Sequence, residues 1–282
     1  MHINSLSEYN ELAKAYDIFK RDDNYPAFFS LLKREFIDAC KLGRDVHSLE
    51  VGCGTGTFTH LFNEAGFNID GVDLSPNMIS VAQNKYPDLR FAVADISKDP
   101  LNTSEYGLCV ALDDVLNCLP DEISLRSAII NIASSLTAGG YFLFDLVSLS
   151  SFKNYMGSVD FRKYEDACVL SYPLSSLYNT GRDPFVLGFS ILTFDGRAAT
   201  WNKKTTQQRS DSSQRKTLSR FFSKRGYPSL QSAISFRANL SPRIQQALLA
   251  YRNTFTCVER RQQMTIEEQA KKLDASEIIK NI

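Results

Sequence analysis

Five short apolar segments between residues 46 and 147 constrain the fold of this chain more than any other feature. They cover 46–51, 69–72, 89–93, 108–112 and 141–147. Each is too short to cross a membrane and too continuously apolar for a strand with one wet face, so we predict parallel strands buried on both faces. Segments with helical periodicity separate them. This alternation is typical of a doubly wound, mostly parallel α/β sheet.

Helix signals in the intervals support this interpretation. Ser75 followed by Pro76 is typical of a helix start, with serine as N-cap and proline at the first helical position. Helices are also predicted over 57–65 and 121–136, and the Ala-Gly-Gly sequence at 138–140 is a helix stop after the second. Helical periodicity over residues 1–45 predicts a helical region before the first strand.

The second half of the chain carries weaker signals. Apolar residues alternate over 185–194, which predicts a strand. Residues 201–226 hold eight Lys or Arg and a single acid among Ser, Thr and Gln, and we predict a loop or a disordered insertion there. Ser-Pro at 241–242 predicts a helix to about residue 255. The sequence Thr-Ile-Glu-Glu at 265–268 is a capping box for a last helix.

Charge and cysteine usage narrow the class of protein. The formal net charge is zero, which argues against general binding to nucleic acid or a membrane surface. The six cysteines form no Cys-x-x-Cys pair, and with three histidines they give no zinc-type spacing, so no metal is expected. The N-terminus lacks the pattern of a secretion signal. We therefore predict reduced thiols in a cytoplasmic protein.

A glycine-rich turn follows the first apolar segment. Residues 49–56 read Leu-Glu-Val-Gly-Cys-Gly-Thr-Gly, and such a turn brings bare backbone N–H groups and a helix N-terminus to one point. A phosphate-binding loop would need lysine after the last glycine, and here threonine follows. A dinucleotide site prefers G-x-G-x-x-G, whereas the spacing here is G-x-G-x-G.

Three acids stand at or near the ends of successive predicted strands: Glu50, Asp73 and Asp95. The carboxyl ends of parallel strands form the edge where open α/β sheets bind ligands. S-adenosylmethionine has an ammonium group, two ribose hydroxyls and an adenine amine, each of which can donate to one of these carboxylates. It has no phosphate, and it fits the turn better than the two classes above. The alternative is that Asp73 and Asp95 are simple helix N-caps.

The glycine turn with these acids resembles the class I S-adenosylmethionine-dependent methyltransferase superfamily, over roughly residues 5–147. Four further stretches are similar to its small-molecule branch: Tyr-Asn-Glu-Leu-Ala-Lys-Ala-Tyr-Asp at 9–17, Asp-Asp-Asn-Tyr at 22–25, Asp-Val-Leu-Asn-Cys-Leu at 114–119 and Gly-Tyr-Phe-Leu-Phe-Asp at 140–145. The resemblance implies a Rossmann-like methyltransferase fold with an irregular or β-rich substrate-side insertion. The basic stretch 201–226 is foreign to the pattern, and Arg261 stands where the branch commonly has histidine.

The resemblance also implies a set of cofactor-binding residues. Gly52 and its neighbours would hold the methionine part, Asp73 and Leu74 the ribose, and Tyr16 would close the site from above. Asp95 and Ile96 would hold the edge of the adenine. The full set is Tyr16, Glu50, Gly52, Cys53, Gly54, Gly56, Asp73, Leu74, Met78, Asp95, Ile96 and Leu112.

Methyl transfer from a sulfonium is an in-line displacement, so catalysis depends mainly on placing the acceptor. A base belongs near the end of the fourth strand, where the methyl group would point. Asp114 and Asn117 are the first candidates for orienting the acceptor and Asp113 is the third, with Tyr16 as a further orienting group. The alternatives are a solvated loop at 113–117 and a core position for Tyr16.

These inferences divide the chain into three regions. Residues 1–45 form an N-terminal helical lid, 46–147 the cofactor-binding α/β core, and 148–282 the substrate-side insertion with C-terminal helices. We expect methylation of a small-molecule amine or hydroxyl, without a membrane or nucleic-acid partner, and a homodimer is left open. The alternatives are a non-catalytic binding or regulatory protein of the same fold and an RNA methyltransferase.

Overall fold

The computed structural model of the chain describes residues 9–10, 12–38, 42–101, 105–147, 159–173, 185–195, 200–210 and 253–259. Its strands form a six-stranded sheet and a four-stranded sheet. None of the described helices has the length and hydropathy needed to span a membrane.

The six-stranded sheet is built from the five predicted strands and one late strand. Its strands are β1 (His47–Val51), β2 (Asn68–Asp73), β3 (Arg90–Val93), β4 (Tyr106–Ala111), β5 (Leu136–Val147) and β10 (Asn253–Glu259). The order is β10-β5-β4-β1-β2-β3, with β1 to β5 parallel and β10 antiparallel to β5. The strand order reverses between β1 and β4, and ligands bind at such a switch point in open α/β sheets.

Helices alternate with these strands as expected. They are α3 (Thr57–Glu64), α4 (Pro76–Lys85) and α5 (Glu122–Ser135). The predicted cap of α4 is confirmed, because the Ser75 side chain accepts a hydrogen bond from the Met78 N–H, and Asp121 caps α5 in the same way. The predicted doubly wound α/β fold is therefore confirmed.

Both faces of the central sheet are buried. On one face, Leu49 and Val51 pack against Leu125 and Ile132 of α5. On the other face, Val110 belongs to a second cluster of buried residues that includes Phe58 and Phe62 of α3. Burial on both faces explains why the strands are continuously apolar and not alternating.

The N-terminal region is helical and covers the carboxyl edge of the sheet. It contains a 3-10 turn (Ala13–Ala15), α1 (Tyr16–Phe19), α2 (Tyr25–Leu32) and a π-helical segment (Lys33–Ile37). Buried phenylalanines of α2 pack on α3, with the Phe28 and Phe58 ring centroids 5.2 Å apart. The earlier part, including Leu12 and Ala13, packs against Met78 of α4.

The four-stranded sheet is antiparallel, in the order β6-β7-β8-β9. Its strands are β6 (Asp160–Lys163), β7 (Ala167–Pro173), β8 (Phe185–Asp195) and β9 (Thr200–Ser210). The strand predicted over 185–194 is confirmed by β8. Val169 and Ile191 pack in one cluster with residues of the N-terminal region and with Met78 of α4, so this sheet supports that region.

Two expectations for the second half of the chain are wrong. Residues 201–210, predicted as loop or disorder, form β9 and pair with β8 along its whole length. Backbone pairing does not need apolar side chains, and lysines are common on a strand with one unpaired edge. Residues 253–255, the end of a predicted helix, belong to β10 and pair with β5. The rest of that helix, the helix predicted from 265 and residues 211–226 lie outside the described residues.

Gly56 and Gly139 provide a matched test of packing in the glycine turn. Both have positive φ, +81° and +79°, but a Cβ on Gly56 would lie 2.8 Å from the Phe91 ring and 3.2 Å from Ala82, whereas a Cβ on Gly139 has no atom within 4 Å. Gly139→Ala should cost about 1 kcal/mol through backbone strain. Gly56→Ala should cost about 1–3 kcal/mol more because the site is already filled. Denaturant unfolding measures both costs, and equal values would contradict the packing role.

Candidate active site

A cavity of about 710 Å³ lies at the carboxyl ends of the parallel strands, on both sides of the switch point between β1 and β4. All the predicted cofactor residues except one line it: Tyr16, Glu50, Gly52, Cys53, Gly54, Asp73, Leu74, Met78, Asp95, Ile96 and Leu112. The exception, Gly56, is outside this lining and faces Phe91 and Ala82. The structure thus brings the predicted residues together, while their individual roles stay predictions.

The glycine turn brings bare backbone to the cavity wall. Gly52 has a φ of +70°, and a Cβ there would lie 2.4 Å from the Val115 side chain. A larger residue would therefore be strained by its backbone and by this contact. The turn is held to β2 because the Cys53 N–H donates to the Val72 carbonyl at 3.0 Å.

Asp73 joins the glycine turn to the start of α4. Its Oδ2 accepts the Gly54 N–H at 2.9 Å, and its Oδ1 accepts the Ser75 N–H at 2.8 Å. Burial raises the pKa of the Asp73 carboxyl, and the two N–H donors offset part of that rise. The N-cap of α4 is Ser75, so the simple-cap alternative does not describe Asp73. A carboxylate at this place can also accept from ribose hydroxyls.

Glu50 is buried beneath the turn, with 2% of its surface exposed. It accepts a short hydrogen bond from the Thr59 hydroxyl of α3. Burial raises the pKa of the Glu50 carboxyl to about 8, and the nearby Asp73 charge adds to the rise while Thr59 opposes it. The side chain is therefore mostly protonated at neutral pH. Its role as partner of an ammonium group stays a prediction.

Asp95 and Ile96 lie at the cavity beyond β3. Asp95 Oδ1 accepts from the Ser97 N–H and hydroxyl at 2.9 and 2.6 Å, and Oδ2 lies 2.7 Å from Lys98 Nζ. Burial opposes ionisation of Asp95, but Lys98 and Ser97 outweigh it and lower its pKa. Asp95 thus caps a local turn and not a helix, unlike the simple N-cap of the alternative, and it lines the cavity.

Three tyrosines from the N-terminal region form a cover over the cavity: Tyr9, Tyr16 and Tyr25. The cover is attached to the glycine turn, because the Thr55 hydroxyl donates to Asp17 at 2.6 Å. It is attached to the start of α4 through a 2.6 Å hydrogen bond from the Ser75 hydroxyl to Asn10. Tyr16 therefore lies at the site and not only in a core, although the closing role predicted for it stays a prediction.

The loop after β4 presents Asp113 to the cavity. Asp113 and Asp114 both have left-handed backbones, with φ of 68° and 61°. Asp113 lines the cavity, whereas Asp114 and Asn117 are absent from its lining. The Asp114 N–H donates to Asp145 at 3.1 Å, and Asn117 is 1% exposed. The orienting roles assigned to Asp114 and Asn117 stay predictions, but the geometry favours the third candidate, Asp113.

The sequence patterns did not indicate several residues of the site. Tyr9, Tyr25 and Cys118 line the cavity. Lys20 is absent from the lining but forms an ion pair with Asp113. Lys20 lies between α1 and α2, and Tyr25 is the first residue of α2. Nothing in the local spacing points to the contact of Lys20 with a residue 93 positions away. Within the part of the chain that the structure describes, no group of three His, Cys, Asp or Glu could hold a metal ion.

Part of this chain is similar in sequence to known proteins. Residues 49–140 match the family described as a methyltransferase domain. A protein of Geobacillus sp. (strain WCH70) that carries a provisional methyltransferase name is 29% identical over 143 residues, which are 50% of this chain and 58% of that protein. A malonyl-[acyl-carrier protein] O-methyltransferase of Serratia marcescens is 28% identical over 103 residues, 36% of this chain and 39% of that protein. The matches thus span about two fifths to three fifths of these relatives.

A solved structure extends the likeness to the fold. An S-adenosylmethionine-dependent methyltransferase from Clostridium acetobutylicum ATCC 824 superposes with a TM-score of 0.61 at 22% identity, over 76% of this chain and 86% of that chain. At this identity the likeness shows that the two proteins share a fold.

The buried Glu50 predicts a specific dependence of stability on pH. Its pKa is about 8 in the folded protein and near 4.5 when exposed, so the folded state holds a proton that the unfolded state has lost. Stability should therefore fall as pH rises from about 5 to 8, by on the order of a few kcal/mol. Glu50→Gln should remove this fall. Denaturant unfolding at pH 5, 6, 7 and 8 measures it, with the exposed Glu64→Gln as control.

A Glu50→Gln variant whose unfolding free energy follows the parental pH profile would contradict this assignment.

Proposed function

We propose that the chain is a class I S-adenosylmethionine-dependent methyltransferase that transfers a methyl group to a small-molecule acceptor, and the match of residues 49–140 to the methyltransferase domain family supports this. The observation that carries this proposal is the arrangement around Asp73. Its carboxylate holds Gly54 and Ser75 and also lines the cavity.

The residues of the cavity fit this cofactor. Gly52 and Gly54 line the cavity, and a Cβ on Gly54 would meet only the Tyr16 ring, at 3.9 Å, so the amino-acid tail would approach bare backbone there. Asp73 would accept the ribose hydroxyls, and Asp95 with Ile96 would hold the adenine edge. Glu50 lies beneath the turn, where a nearby ammonium group would favour its ionised form.

When bound, the cofactor supplies a methyl group activated by a positively charged sulfur. The protein's own contribution is to place the acceptor in line with it, and effective placement accounts for much of the rate of such reactions. Tyr16 and Tyr25 cover the cavity and exclude water, while the loop at 113–117 faces the acceptor. Either an amine or a hydroxyl can serve as acceptor in this scheme.

The size and lining of the cavity support a small molecule as acceptor. Its volume of about 710 Å³ lies within the usual range of small-ligand sites, about 300–1,000 Å³. Beyond the predicted cofactor residues, its wall combines aromatic and apolar side chains, such as Tyr9, Phe58 and Leu119, with polar ones, such as Asp113 and Asp121. The O-methyltransferase activity in the name of the Serratia marcescens relative supports chemistry of this class.

Cofactor binding is the first test of the proposal. Asp73→Asn should weaken binding of S-adenosylhomocysteine roughly 100-fold, because a hydrogen-bonded charge is lost. Isothermal titration calorimetry measures the affinity, and thermal unfolding checks that the variant is folded. Asp70→Asn is the matched control, since Asp70 lies on the same strand but pairs with His47 and Arg90. Equal affinity of the Asp73→Asn variant and the parent would contradict the proposal.

Methyl transfer is the second test. Purified protein with radiolabelled S-adenosylmethionine should label members of a panel of small amines and alcohols, and the label should disappear with Asp73→Asn because the cofactor is no longer held. Cofactor binding without any transfer would instead favour a non-catalytic protein of the same fold. Label that appears on bulk tRNA but on no small molecule would favour the RNA alternative.

A further inference from the structure

Asp113 is the centre of a lysine–carboxylate cluster beside the cavity, formed by Asp113, Lys20, Asp23, Tyr16 and Tyr25. Lys20 Nζ lies 3.0 and 2.7 Å from the two carboxylate oxygens of Asp113 and 2.9 Å from Asp23. The hydroxyls of Tyr16 and Tyr25 donate to Asp113 Oδ2 at 3.2 and 3.4 Å. The cluster joins the N-terminal region to the end of β4.

The carboxylate of Asp113 is the charged member of the cluster that faces the cavity. Asp113 lines the cavity, whereas Lys20 is absent from its lining. The side chain of Lys20 is 15% exposed and lies 5.6 Å from the centre of the Phe19 ring. Burial works against its charged form, but Asp113 and the two tyrosines outweigh it and raise the Lys20 pKa. Lys20 is therefore a fixed cation behind the carboxylate.

The charge balance of this wall favours a cationic ligand. One ammonium group lies between two carboxylates, those of Asp113 and Asp23, so the three groups together carry a net negative charge. Among the described residues that line the cavity, the basic side chain is Lys98, and it is paired with Asp95 at 2.7 Å. Aromatic rings of the same wall, such as Phe58, also favour a cation.

Asp113 Oδ2 is close to one strong donor, Lys20 Nζ at 2.7 Å, and to two weak ones, the hydroxyls of Tyr16 and Tyr25. The tyrosine hydroxyls lie at 3.2 and 3.4 Å, longer than the roughly 2.5–2.7 Å of a strong O–H···O⁻ bond. A charged N–H donor from a ligand would form a shorter and stronger bond than either phenol. The tyrosines would then flank the ligand.

We propose that Asp113 binds the methyl acceptor and selects a cationic amine, and that Lys20 is a positioning residue that acts through Asp113. This inference rests on the proposed function and adds the acceptor class to it. The acceptor enters as an ammonium ion and gives one proton to Asp113 Oδ2. Its nitrogen lone pair forms the new N–C bond while the C–S bond of the sulfonium donor breaks, and those electrons stay on sulfur. The product is the methylated ammonium ion, and Asp113 releases its proton to solvent.

The acceptor test uses pairs of molecules that share a carbon skeleton. The parent protein, loaded with S-adenosylmethionine, is offered primary amines and the matching alcohols, beginning with 2-phenylethylamine and 2-phenylethanol. Methylation of amines in preference to alcohols is expected. Asp113→Asn should lower kcat/KM for the amine roughly 100-fold, as for loss of a group that transfers a proton. Its affinity for S-adenosylhomocysteine by calorimetry should stay within about threefold of the parent, because cofactor contacts are intact.

The outcomes separate this inference from the proposed function. Failure to bind S-adenosylhomocysteine would contradict the proposed function. Binding of that molecule together with methylation of alcohols, or of no amine in the panel, would overturn the acceptor class alone. Amine turnover by Asp113→Asn within about threefold of the parent would overturn the role of Asp113, since a proton-transfer group contributes more than that.

Lys20 is tested with a matched neighbour. Lys20→Met should raise KM for the amine more than it lowers kcat, because Asp113 loses the ion pair at 2.7 Å that fixes its position. Lys20→Arg should restore the parental KM. Arg21→Met removes a neighbouring cation that pairs with Asp166 at 2.6 Å, away from the cavity, and should leave KM in place. A Lys20→Met variant that is less stable in thermal unfolding but keeps the parental KM would assign Lys20 a structural role and overturn its positioning role.

Discussion

The whole site depends on one carboxylate that receives two backbone N–H groups. Asp73, at the end of β2, binds Gly54 of the glycine turn and Ser75 at the start of α4. These bonds fix the two loops that border the cavity at the switch point of the sheet. Because the same carboxylate faces the cavity, the group that holds the loops together is also available to a ligand.

The position of the N-terminal region depends on the same two loops. Thr55 of the glycine turn binds Asp17, and the Ser75 hydroxyl binds Asn10, so the cover is attached to the same two loops. The antiparallel sheet also supports it, because Val169 and Ile191 pack in one cluster with Leu12 and Ala13. The additional strands thus hold the segment whose tyrosines line the cavity.

Much of the core and of the cofactor half was predictable from local patterns. Continuous apolar segments identified β1 to β5, and Ser75 with Pro76 identified the start of α4, because burial and capping are encoded by neighbouring residues. Eleven of the twelve predicted cofactor residues line one cavity, because parallel strands bring their carboxyl ends to one edge of the sheet. β9 was missed because a polar edge strand takes its stability from backbone pairing with β8, which leaves no periodic apolar signal.

The lysine–carboxylate cluster, in contrast, could not be predicted from local patterns. The spacing of glycines and acids within 50–95 specifies which end of the sheet binds a ligand, since each residue is positioned by its own strand or turn. Nothing local relates Lys20 to Asp113. They meet at 2.7 Å across 93 residues because the N-terminal region folds back over β4. Local periodicity can encode strands, turns and caps, whereas the ion pair at the cavity wall arises from packing between distant segments, which no short stretch of the chain contains.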